Sequence, residues 1–192
     1  KDPYTGEIGK SLIFCVSQKH ATKITQILNE YALELYPNKY QSDFAVQVTS
    51  SVMGSQQMTI DFANNTLNGF STSNEYYRTS KTRICVTVGM MTTGYDCTDL
   101  LNIAMMRPIY SPSDFIQMKG RGTRKKDFRM DWIDKTQLNE SIDPMKQEYA
   151  LFDFFGNYEY FEKEFDYDQK LKLPANPSIS GEPPVDIDRP EL

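Results

Sequence analysis

RICVTVGMMTTGYDCTDLLNIAMMRPIYSPSDFIQMKGRGTR, Arg83 to Arg124, is the stretch from which the rest of the chain can be read. Ile84 to Val88 is a short apolar, β-branched run of the kind found in a strand covered on both faces. Leu100 to Met106 is a second such run, stopped by Pro108. Ser111 to Asp114 then supplies cap-type residues with a proline among them, which is how a helix begins. In a helix running from Pro112 through Arg124, Gln117, Arg121 and Arg124 are offset by four and seven residues and share a narrow sector of one face. Two guanidiniums and an amide arranged in this way suit a polyphosphate or a pair of carboxylates. A solvated basic helix end, favourable against the helix dipole, is the plainer reading of the same residues. Gly120 and Gly122, poor helix formers, leave room for another backbone or a ligand to come close.

Upstream of that helix, Thr92-Thr93-Gly94-Tyr95-Asp96 lies just past the end of a buried strand, where open α/β sheets bind ligands. This places both the turn and the arginines beyond the carboxyl ends of neighbouring strands.

Further out, Ser11 to Val16 reads as another buried strand, with Ser17 as the N-cap of a helix over residues 18–35. Ala21, Ile24, Ile27, Leu28, Tyr31, Ala32 and Leu35 recur at helical spacing and give that helix one apolar face. Phe44 to Thr49 is a strand, Gln56 to Ala63 a short helix, and Asn64 to Thr79 a long loop. Residues 125–146 are polar and irregular, Glu148 to Phe155 is a strand, and Tyr158 to Tyr167 is a short helix. Alternating strands and helices in this order predict an α/β fold, a mostly parallel sheet with helices on both faces and right-handed crossovers.

Two local patterns mislead. Gly6-Glu7-Ile8-Gly9-Lys10-Ser11 ends like a phosphate-binding loop, but the first glycine of that motif would fall on Tyr4. The segment also precedes a strand, whereas such a loop must follow one and open a helix. Asp168-Gln169-Lys170 has the spacing of one nuclease motif, but no second carboxylate follows a matching strand.

With 192 residues the chain suits one α/β domain plus a tail. No apolar run is long enough to span a bilayer. The three cysteines, Cys15, Cys85 and Cys97, read as small core hydrophobes in a reducing compartment, and with one histidine a zinc site is not expected. The net charge is -5, yet Lys119, Arg121, Arg124, Lys125, Lys126 and Arg129 form one strongly basic patch. Overall acidity therefore leaves room for a local polyanion site.

Val86 to Asp96 reads V-T-V-x-M-x-T-T-G-x-D, Arg107-Pro108 follows, and Gln117 to Arg124 reads Q-M-x-G-R-G-T-R. Together these resemble motifs V and VI in the second RecA-like domain of superfamily 2 helicases and translocases, and the form is most like the restriction subunit of type I restriction-modification enzymes. The resemblance covers about residues 10–160, with 1–9 as a linker and 161–192 as an extended acidic, proline-rich linker.

It implies a RecA-like fold and half of an ATP-driven duplex-DNA motor in the cytoplasm, working with modification and specificity subunits and inactive as an isolated piece. ATP and Mg²⁺ would be held mainly by a first lobe outside this chain. Arg124 is implied as the arginine finger, Arg121 as a second phosphate contact and Gln117 as an orienting partner. Gly94 and Asp96 are implied to face the nucleotide, with Asp96 near the ribose or holding an arginine. Ser17, Lys19, Thr92 and Thr93 are implied to meet the DNA backbone, although capping explains Ser17 equally well. Another superfamily 2 motor, of type III restriction or DNA repair, and a non-catalytic DNA- or nucleotide-binding module remain as alternatives.

Overall fold

The computed structural model describes residues 1–91 and 96–165. Five parallel strands form one sheet in the order β2-β3-β1-β4-β5: β1 Ser11–Cys15, β2 Ala45–Gln47, β3 Ile84–Thr87, β4 Asn102–Met106 and β5 Ala150–Asp153. All five residues of β1 are buried because it sits in the middle, with Ser11 opposite Ile84 on one side and Asn102 on the other.

Period-two alternation divides the strands between two cores. Leu12, Phe14, Cys85, Ile103 and Met105 pack on one face with Phe62, Phe115, Met118 and Phe161. Ile13, Cys15, Ile84 and Val86 pack on the other with Ala21, Ala32, Tyr40 and Phe44. Helix α1, Gln18–Leu35, covers the second face, while α2, Ser55–Ala63, and α3, Pro112–Gly120, cover the first. The expected α/β architecture with helices on both faces is what the chain forms.

The caps follow their sequence signals. Ser17 Oγ accepts from His20 N at 3.2 Å, and Ser111 Oγ accepts from Asp114 N at 3.4 Å with Pro112 in the first turn. After β5 a single helical turn, α4 Asn157–Glu159, widens into a π-type coil over Tyr160–Glu164. The side chain of Asn157, 4% exposed, accepts from Ile109 N at 2.8 Å and donates to Arg107 O at 3.1 Å. It thereby ties α4 to the Arg107-Pro108 step.

Residues 1–9, expected as a linker, are packed into the domain. Asp2 and Glu7 are buried and approach the fully buried Arg83 at 3.5 and 3.9 Å, because a guanidinium out of water needs countercharge. Residues 64–79, expected as a long loop, have no regular element but are pinned at several points. Ser71 donates to Glu7 at 2.9 Å, Ser80 to Leu67 O at 3.0 Å, and Tyr77 joins Tyr4 and Trp132 in a third small core. Phe161, placed by the sequence in the extended tail, is 1% exposed and stacks on Phe115 with ring centroids 4.9 Å apart. Asp168-Gln169-Lys170 and the rest of 166–192 lie outside the described residues.

Cys15, Cys85 and Cys97 are buried and in no disulfide, and burial pushes the Cys15 thiol up to about 11, which keeps it protonated and unreactive. Among the described residues no helix is long and apolar enough to cross a membrane.

Candidate functional site

Helix α3 is shorter than its sequence pattern implies. It ends at Gly120; Arg121 still has helical backbone angles, but residues 121–123 form turns and Arg124 lies outside any regular element. Gln117 and Arg121 keep their four-residue offset, whereas the expectation of one helical face running through Arg124 is not met. Two glycines within three residues are the physical reason, since each carries a helix penalty of about 1 kcal/mol against alanine. Gly122 serves a further purpose: a Cβ there would lie 2.3 Å from the ring of Tyr149. The close approach expected at Gly122 is made by an aromatic side chain of the same chain.

The turn brings Arg124 to Asp96. Arg124 Nε lies 3.3 Å from Asp96 Oδ1, with the two side chains 54% and 69% exposed. An exposed pair of this kind contributes about 0.2–1 kcal/mol, so the guanidinium is oriented while remaining easy to transfer to another anion. Gln117 Nε2 donates to Ser113 Oγ at 3.2 Å along its own helix. Arg121 is half-buried at the C-cap of α3. An open depression of about 560 Å³ lies beside the turn, lined by Arg124, Lys125, Met145, Lys146, Glu148 and Tyr149. Thr92, Thr93 and Gly94 lie outside the described residues.

The arginine turn does not lie beyond the carboxyl ends of the strands. Helix α3 starts past the carboxyl end of β4 and runs back along the sheet, and Gly122 ends against Tyr149, the residue immediately before β5. The arginines therefore stand at the amino edge of the sheet. Ser17 and Lys19, both exposed, follow the carboxyl end of β1 on the opposite edge. The crossover from β3 to β4 starts at one edge and finishes at the other, which is how Asp96 reaches Arg124.

Lys10, the false phosphate-loop lysine, is 1% exposed and lies 2.9 Å from both Asp99 Oδ1 and Asn65 Oδ1, with a further bond to Phe62 O. Burial would strip both charges, but each holds the other ionised: the Asp99 pKa falls and the Lys10 pKa rises. Among the described residues no group of three or more histidine, cysteine or acidic side chains could hold a metal ion. Sequence reading missed Asn157 and Lys146, which act through backbone carbonyls far away in the chain.

A parallel sheet layered by helices on both faces, with a Gly-rich arginine turn beside the crossover that carries Asp96, is the α/β architecture of a RecA-like domain. Within that class the likeness is to the restriction subunit of type I restriction-modification enzymes, as the motifs implied. Over 144 residues the chain is 28% identical to the Type I restriction enzyme EcoKI endonuclease subunit of Escherichia coli (strain K12), across 71% of this chain and 11% of that protein. A solved fragment of an HsdR subunit of a type I restriction enzyme from Vibrio vulnificus YJ016 matches at TM-score 0.55 and 25% identity, over 80% of this chain and 25% of that one. The helicase Lhr of Mycobacterium smegmatis, solved with ssDNA and AMP-PNP, gives TM-score 0.49 and 15% identity over 80% of this chain and 17% of that one. No protein-family model matches the chain. The chain thus spans about a tenth of the curated relative and a quarter of the solved restriction fragment.

Proposed function

We propose that residues 10–160 are the core of the second motor lobe of an ATP-dependent DNA translocase. The larger protein would be the restriction subunit of a type I restriction-modification system, which hydrolyses ATP to pump duplex DNA before cutting it. The observation that carries this reading is the exposed Arg124–Asp96 pair, assembled at one edge from the two segments that resemble motifs V and VI.

The division of labour follows from electrostatics. Charge on the transferring phosphoryl group has to be stabilised at the moment of reaction, so a cation delivered across a closing cleft acts selectively on the transition state. Arg124 is that cation. Asp96 keeps its guanidinium oriented until a phosphate displaces the carboxylate, at small cost because the pair is exposed. Arg121 makes a second phosphate contact, and Gln117 orients the array once it leaves Ser113. Gly94 completes the nucleotide-facing turn. Mg²⁺ and most nucleotide contacts belong to the first lobe.

At the opposite edge Ser17 and Lys19 meet the DNA backbone, a role that the motif match gives also to Thr92 and Thr93, so that a single lobe touches nucleotide and track at two separate places. Modification and specificity subunits would join the complete enzyme.

The test compares ATP hydrolysis by these 192 residues alone with hydrolysis by a polypeptide that also carries the upstream motor lobe. The proposal expects no turnover from the first and DNA-stimulated turnover from the second. Hydrolysis by the isolated chain, or none from the pair, would remove the motor assignment.

A further inference from the structure

We propose that Lys146, which lies in neither motif, is the positioning residue that holds the Arg124 turn in register with the Asp96 segment. Its ammonium donates to Gly122 O at 2.7 Å and to Thr98 O at 3.3 Å. Gly122 is two residues from Arg124, and Thr98 is two residues from Asp96. One half-buried cation therefore bridges the backbones that carry the two members of the exposed pair.

Lys146 is itself well anchored. Its backbone N–H donates to Lys126 O at 2.8 Å, Phe128 N donates to Pro144 O at 2.9 Å, and Asp127 bridges Met145 in antiparallel fashion. Three residues on, Tyr149 lies so close to Gly122 that a Cβ would clash with its ring. Residues 145–149 thus form a back wall to which the arginine turn is both hydrogen-bonded and packed.

This wall is needed because the Arg124–Asp96 contact is too exposed to fix geometry by itself. Hydrogen bonds from a half-buried ammonium are roughly twice as strong as neutral ones. Burial lowers the Lys146 pKa, against the opposing pull of Cys97 and Asp99, so the group stands in a partly dry site where such bonds count. A catalytic cation misplaced by about 1 Å loses on the order of a hundredfold in rate. Lys146 thus controls turnover by controlling where Arg124 stands. The inference rests on the finger reading of Arg124, and the experiment separates the two.

Amide hydrogen exchange on the 192-residue chain gives the first readout. In Lys146→Met the amides of Gly122 and Thr123, which bond to Lys119 O and Gly120 O, exchange about tenfold faster or more, while those of Leu12 and Phe14 in β1 stay within about twofold. Lys146→Arg keeps the donors and returns the rates to within about threefold of the parent. Gly122→Ala, which forces the turn off Tyr149 with Lys146 intact, reproduces the local loosening.

The second readout is kcat in the motor polypeptide: Lys146→Met lowers it about tenfold with KM for ATP within about threefold. Unchanged exchange at Gly122 and Thr123, an equal rise throughout the chain, or normal kcat in Lys146→Met would overturn the inference. If Arg124→Ala turns over normally, the finger reading fails instead, whatever Lys146→Met does to the exchange rates.

Discussion

Arg83 and Arg124 open and close the same 42-residue stretch, and the fold treats them in opposite ways. Arg83 is fully buried: its Nε donates to Ile8 O at 2.7 Å, and one terminal nitrogen donates to Thr79 Oγ1 at 2.7 Å and Ser80 O at 3.1 Å, with Asp2 and Glu7 beside it. Arg124 is 54% exposed, and Asp96 is held 3.3 Å from its Nε. The difference separates a cation locked into the fold from one held loosely at the surface. A guanidinium enclosed by carbonyls, hydroxyls and carboxylates has nowhere else to go, while one held at an open edge by an exposed acid can change partners.

The largest expected effect belongs to the buried arginine. Arg83→Met leaves Asp2 in a dry site without its cation and Glu7 with Lys39 alone, and urea unfolding of the chain should show a loss of about 3–5 kcal/mol. A loss under about 1 kcal/mol would mean that the strap 1–9 is only loosely attached.

Next comes the acidic side of the same network. Burial alone would raise the Glu7 carboxyl, but Lys39, Ser73, Arg83 and Ser71 together bring it from its usual 4.5 down to about 2. A depressed acid stabilises the fold above its unfolded pKa, and that stability disappears as the pH falls through its folded one. About 3 kcal/mol should therefore be present above pH 4.5 and fade toward pH 2. Glu7→Gln should flatten that part of the stability profile, and an unchanged slope would contradict the network.

How much of this could be read from sequence alone differs between the two arginines. The motif residues around Arg124 were legible because their spacing is local, as were β1, β3 and the starts of α1 and α3, each marked by an apolar run or a serine cap. The end of α3 was misjudged: helical periodicity was carried through Gly120-Arg121-Gly122, although two glycines argued for a stop. Nothing in the sequence flagged Arg83, whose partners Asp2, Glu7 and Ile8 lie more than seventy residues away. Loops pinned by scattered serines and tyrosines, such as 64–82, look like mobile chain until the fold brings those partners together. The edge on which the arginines stand was likewise a tertiary fact, set by the return of α3 along the sheet.

A smaller effect is expected at Asp96. Asp96→Ala should change the unfolding free energy by no more than about 0.5 kcal/mol, as for other exposed pairs. A loss above about 2 kcal/mol would show that the pair is structural and bring it into line with Arg83.

The smallest signal is expected from the proposed DNA-backbone contacts. Ser17 and Lys19, with Thr92 and Thr93, would neutralise few phosphates, so the chain should bind duplex DNA with a Kd of roughly 10⁻⁴ to 10⁻⁵ M and a shallow salt dependence. Titration of labelled duplexes at two salt concentrations measures both. Tight, sequence-selective binding would point to a dedicated recognition module.

The most direct measurement is DNA-stimulated ATP turnover by the motor polypeptide carrying Arg124→Ala, set beside the unfolding free energy of the same substitution in the 192-residue chain. The account predicts turnover reduced by at least about a hundredfold, nucleotide affinity within about fivefold, and stability within about 0.5 kcal/mol of the parent. Near-normal turnover, or a loss of stability like that expected for Arg83→Met, would contradict it.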